Sequence, residues 1–132
     1  MKAALREHCP DRIDVYFDNV GGPSAGMMFA LGIIDKLTPG YLNGGKYVAG
    51  TGTITASGVV GPIGGIRQKL YGAYDQGAKY FLAPAENCDE VVGNIPGDLK
   101  VFSVAKLTDA LNVLSKVSAG ADLSKLPTCK TK

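Results

Sequence analysis

Ser24 and Lys69 are the residues whose types and settings point to chemistry. Ser24 lies in Gly22-Pro23-Ser24-Ala25-Gly26, a glycine-rich turn that opens into an apolar run. The start of a helix carries unpaired N–H donors and a partial positive charge, which favour a nucleophilic oxygen and an adjacent oxyanion. Gly22 and Gly26 let a substrate backbone come close. The plainer reading of Ser24 is a helix N-cap, the ordinary task of a serine in front of an apolar helix. Lys69 follows in a second helical segment, where Ile66, Lys69, Leu70, Ala73 and Gly77 share one face while Arg67 and Gln68 point away. A lysine there ordinarily snorkels, stem on the apolar surface and ammonium in water. Burial would instead penalise the charged form and lower the pKa. A neutral amine could then take the Ser24 proton, which is the minimum for Ser–Lys nucleophilic catalysis.

Other bases are scarce. His8 is the single histidine, and it precedes Ser24, the reverse of the order an α/β-hydrolase elbow requires. Lys36 and Lys79 stand beside turn signals where solvation is easy. Gly40-Tyr41-Leu42-Asn43-Gly44-Gly45-Lys46 follows the phosphate-loop pattern until Tyr47 takes the place of the magnesium-binding Ser or Thr. It also follows a helix rather than a strand, so no nucleotide is expected and Lys46 reads as a surface turn residue. Cys9, Cys88 and Cys129 fit no zinc spacing. No metal and no cofactor are expected. The three thiols are consistent with reduced cysteines or with one disulfide and a spare.

These residues need elements to hold them. The sequence suggests a short helix over residues 4–8, a strand over 13–17 and a turn at Val20-Gly21-Gly22-Pro23. The helix from Ser24 to about Leu37 is apolar nearly all round, which predicts burial. Residues 47–60 read as strand with a hairpin-like turn at Ser57-Gly58. A helix follows from Ile66 to about Gln76, capped by Gly77. A strand at Tyr80-Phe81-Leu82, a weak helix near residues 89–92, a strand over 101–104 and a helix over 107–117 complete the pattern. Residues 118–132 read as a polar tail, pinned only if Cys129 is bonded. The hairpin interrupts any strict βαβ alternation, so an α+β fold is expected.

Size and charge set bounds. The 132 residues suit one domain, and 45% hydrophobic with 20% charged residues is an ordinary globular composition. The net charge of +2 has its signs interspersed, and no basic run is interleaved with aromatics, so nucleic acid is not expected as a partner. No apolar run reaches the roughly 18 residues that span a bilayer. Met1-Lys2-Ala3-Ala4-Leu5 breaks at once into Arg6-Glu7-His8, unlike a signal peptide. The chain is therefore expected to be soluble as given.

The blocks Gly22-Pro23-Ser24-Ala25-Gly26, Thr51-Gly52-Thr53-Ile54 and Val60-Gly61-Pro62-Ile63-Gly64-Gly65-Ile66-Arg67-Gln68-Lys69 together resemble the proteolytic domain of Lon proteases. Gly77-Ala78-Lys79 and Pro84-Ala85-Glu86-Asn87 fall where that domain has its next strand and loop. The resemblance covers residues 13–114. It implies an α+β fold of Lon-protease-domain type, with 1–117 as the domain and 118–132 as a C-terminal tail. It implies Ser24 as nucleophile, Lys69 as general base and Thr51 as a hydroxyl beside the lysine that helps orient the amine. Polypeptides are the implied substrates, and a homo-oligomer is compatible with it. Gly21 stands where energy-dependent Lons carry an acidic residue, and Gln68 and Thr53 replace glutamates. These departures resemble the ATPase-free, membrane-anchored PDZ–Lon proteins of bacteria. That resemblance implies a parent protein with a PDZ domain and an anchor, this domain outside the cytoplasm, and a Cys88–Cys129 disulfide with Cys9 spare. The implied activity is ATP-independent serine endopeptidase. The rival readings are a catalytically silent Lon-like binding or assembly module and an esterase built on the same dyad.

Overall fold

The structure is a computed structural model that describes residues 2–9, 12–18, 23–37, 39–40 and 42–130. The expected turn at residues 20–22 lies outside them. A five-stranded sheet forms the centre, in the order β2-β1-β3-β6-β7, from β1 (Lys2–Cys9), β2 (Arg12–Asp18), β3 (Val48–Gly50), β6 (Tyr80–Pro84) and β7 (Lys100–Val104). β1 runs antiparallel to β2 and β3, while β3, β6 and β7 are parallel. A separate antiparallel ribbon joins β4 (Thr53–Ile54) to β5 (Val60–Gly61). The helices are α1 (Gly26–Leu37), α2 (Ile66–Asp75), α3 (Cys88–Val91) and α4 (Leu107–Ser118). Parallel and antiparallel pairing in one sheet, with helices packed against it, is the expected α+β fold.

Side-chain alternation along the strands separates two cores. On β6, Leu82 faces the core that holds Met27, Met28 and Leu31 of α1 and Val113 and Leu114 of α4. Phe81 and Ala83 face the other, against Ile66, Leu70 and Ala73 of α2 and Val91 of α3. Each helix is thus fixed relative to the sheet by one apolar stripe. α2 ends as its sequence suggests: Gly77 adopts φ 92 and its N–H reaches Tyr74 O, while Ala78 N–H reaches Ala73 O.

Three expectations need correction. Residues 4–8 form a strand, not a helix. Ala, Leu, Arg and Glu favour helix locally, but one turn is too short to hold by propensity, and hydrogen bonding to β2 on one side and β3 on the other prevails. α1 is not buried all round. Its Met27, Met28 and Leu31 are buried, while Phe29, Ile33 and Leu37 are 50%, 59% and 81% exposed, because a helix lying on one sheet can bury only one side. The tail, finally, is held by more than Cys129: Leu126 is buried in the first core and Ser103 N–H of β7 donates to Pro127 O at 2.9 Å.

Candidate functional site

Ser24 occupies a 3-10 turn, Pro23–Ala25, immediately before α1. It does not serve as the helix cap. The N–H of Met27, one of the unpaired donors of the first turn, is taken by Gly52 O at 3.0 Å. In return Gly52 N–H donates to Ser24 O at 2.9 Å. Thr51, 2% exposed, adds a third link: its Oγ1 donates to Ser24 O at 2.9 Å. The backbone of Ser24 is therefore clamped by Thr51 and Gly52, which follow β3 directly. Ser24 Oγ has no hydrogen-bond partner among the described residues, and the residue is half-buried rather than sealed.

Gly52 is fitted to this place. Its φ is 156°, and a Cβ there would lie 2.8 Å from Val60 Cγ1. Sequence reading passes over it as one glycine among eighteen, because the residue it would strike, Val60, lies on the other arm of the ribbon.

Lys69 stands at the edge of the buried stripe of α2. Ile66, Leu70 and Ala73 are fully buried, and Lys69 is half-buried. Burial holds its ammonium below the ordinary lysine range. Nζ donates to Gly64 O at 3.0 Å, a carbonyl in the turn leading into the same helix. Thr51's hydroxyl proton goes to Ser24 O rather than to the amine.

The β4–β5 ribbon connects the two halves. Thr53, one residue beyond Gly52, pairs with Gly61, and Gly61 opens the turn that ends at Gly65 and starts α2. Gly65 takes φ 71 at the helix entrance, which a glycine provides without strain. Gln68, on the exposed face of α2, and Thr53, half-buried on β4, bring no carboxylate.

Asn87, 2% exposed, is a buried polar residue beside the same turn. Its Oδ1 accepts from Ile63 N–H at 2.9 Å, and its Nδ2 donates to Ile63 O at 2.9 Å and to Glu90 Oε1 at 3.2 Å. The local sequence gives no hint of this, because Ile63 is 24 residues away. Cys88, its neighbour, is bonded to Cys129, with Cα atoms 4.9 Å apart. Lys46 is exposed in a turn closed by Asn43, whose Nδ2 donates to Lys46 O at 2.6 Å. Among the described residues no three His, Cys, Asp or Glu side chains gather as metal ligands, and no helix is long and apolar enough to cross a membrane.

Residues 18–117 match the Lon protease (S16) C-terminal proteolytic domain, which is most of the chain. Similar proteins agree. Lon protease 2 of Herpetosiphon aurantiacus is 39% identical over 95 residues, covering 70% of this chain and 11% of that protein. Lon protease of Campylobacter concisus is 38% identical over 94 residues, 68% of this chain and 11% of its own length. Lon protease of Escherichia coli K12 is 36% identical over 95 residues, 70% and 12%. The chain belongs to the Lon protease C-terminal proteolytic domain family. It spans only 11–12% of the length of these curated relatives.

Proposed function

We propose that this chain is an ATP-independent serine endopeptidase domain that cleaves polypeptides through Ser24 and Lys69. Two observations support the reading: Ser24, clamped by its backbone at the start of α1 with its Oγ bonded to no described residue, and Lys69 on α2, whose pKa is depressed by burial. In this mechanism the neutral Lys69 amine accepts the Ser24 hydroxyl proton as Oγ attacks the peptide carbonyl. The resulting ammonium returns the proton to the leaving amine as the C–N bond breaks. Water, deprotonated by the same amine, then hydrolyses the acyl-serine. The Thr51 hydroxyl supports Ser24 by donating to the Ser24 carbonyl, and its oxygen lone pairs stay available to orient the amine.

The ATP-independent, PDZ-linked form is supported by Gly21, Gln68 and Thr53, which stand where the energy-dependent proteins carry carboxylates by resemblance. A disulfide between Cys88 and Cys129 suits an oxidising compartment outside the cytoplasm, in line with a membrane-anchored parent. Residues 118–130 then belong to the working domain as its strap.

The test uses the full 132-residue chain with an unstructured polypeptide and an activated ester. The expected result is a burst of leaving group matching the enzyme concentration, turnover of the polypeptide without ATP, and loss of both in Ser24→Ala. Cleavage that survives Ser24→Ala overturns the dyad. The hydrogen bond from Lys69 Nζ to Gly64 O, in place of one to Ser24, favours a second reading: a silent Lon-like module. Absence of both burst and turnover would select it, and ester turnover alone would select an esterase.

A further inference from the structure

Asn87 gives two of the three hydrogen bonds of its carboxamide to one distant residue, Ile63 in the turn before α2. It accepts from the N–H of Ile63 and donates to the carbonyl of Ile63, both at 2.9 Å, as a neighbouring strand would. This engages both polar groups of one backbone position. The segment it grips is intrinsically loose. Gly61, Gly64 and Gly65 surround Ile63, Pro62 has no N–H, and Pro62, Gly64 and Gly65 are exposed. Nothing lies within 4 Å of a Cβ built on Gly64, so no side chain packs against that side of the turn. The Gly64 carbonyl is the acceptor for Lys69 Nζ. On the other side, Asn87 ends a 3-10 turn that follows β6 and precedes α3, so its own backbone is anchored to the central sheet.

We infer that Asn87 is a positioning residue for the Lys69 amine, acting through the Ile63-Gly64 backbone. The inference rests on the Ser24–Lys69 reading. With Ile63 gripped at both polar groups and Gly65 O held by Lys69 N–H at the start of α2, the Gly64 carbonyl is confined between two fixed ends, and the amine returns to one place after each proton transfer. Without the grip, the glycine turn samples many orientations and the amine loses its aim. Misplacement of a catalytic group by about 1 Å costs on the order of 100-fold.

The experiment measures peptide cleavage and backbone amide exchange on the full chain. Asn87→Ala is expected to lower kcat roughly 10- to 100-fold while KM stays within about twofold. Glu90→Ala removes the third hydrogen bond of the same carboxamide but leaves Ile63 gripped, and its kcat is expected within about twofold of the parent. In the parent protein the Ile63 amide is expected to exchange far more slowly than the Gly64 and Gly65 amides. A folded Asn87→Ala variant with unchanged kcat overturns the inference, as does a rise in KM alone. If Asn87→Ala does not fold, fast exchange at Ile63 in the parent overturns it and slow exchange upholds it. Ser24→Ala separates the two ideas. Activity surviving in Ser24→Ala removes the dyad itself, whereas an inactive Ser24→Ala beside an unimpaired Asn87→Ala removes only the grip.

Discussion

Replacing Gly52 with alanine puts a methyl carbon 2.8 Å from Val60 Cγ1 and 3.6 Å from both Met27 Cβ and Pro84 Cγ. None of these neighbours can turn away: Val60 is buried with one stiff χ1, Met27 is in the core and Pro84 is rigid. The backbone must give way instead. That backbone donates to Ser24 O and accepts from Met27 N–H, so relief of the clash displaces Ser24, the proposed nucleophile. Overpacking of this kind costs about 1–3 kcal/mol, and each weakened hydrogen bond adds about 1 kcal/mol. With both bonds weakened the loss is about 3–5 kcal/mol, which leaves a domain in the middle of the usual stability range folded. Urea unfolding read by circular dichroism measures the first effect, and peptide cleavage in the absence of urea measures the second. Gly64→Ala is the control: its Cβ meets nothing within 4 Å, and its stability should stay within about 0.5 kcal/mol of the parent. Should Gly52→Ala unfold at the same urea concentration as Gly64→Ala and cleave peptide at the parental rate, the bridge between Gly52 and Ser24 holds nothing.

Lys69 gives a signed pH dependence. Because burial lowers its pKa, kcat/KM should rise with pH through a limb below the ordinary lysine range, and Lys69→Arg, which stays protonated, should show no turnover. A flat profile between about pH 6 and 9 refutes this. The linkage has the same sign: between the folded and unfolded pKa values the unfolded chain binds more protons, so Lys69 makes stability rise with pH there. The disulfide closes a loop between residues 41 apart, and Cys129→Ser should lower stability by about 4 kcal/mol in guanidinium titrations. A change under about 1 kcal/mol would mean the tail is held without it.

Periodicity made α1, α2 and α4 legible, and Gly77 marked where α2 stops. The Ser57-Gly58 hairpin was equally readable, since Gly58 takes φ 86. Ser24 and Lys69 could be named as candidates from local setting alone. What escaped sequence reading is long-range. β1 looks helical because its partners, β2 and β3, are set by the sheet. The exposed side of α1 looks like core because composition does not say how many neighbours a helix has. Asn87 looks like any loop asparagine until Ile63 stands beside it. Leu126 looks like a lone apolar residue in a polar tail, and only the assembled core gives it a place.

β7 ends the central sheet, and a terminal strand is a template on which a foreign strand can assemble. Here the tail crosses it, and the group that receives Ser103 N–H is the carbonyl of a proline, Pro127. Proline can accept a hydrogen bond but has no N–H to return one. The strand is thus supplied with a partner that cannot continue the ladder. For a domain that by our reading handles unfolded polypeptides, the consequence is resistance to self-templating: an extended substrate segment meets a closed border at Ser103 rather than a sheet waiting for its next strand.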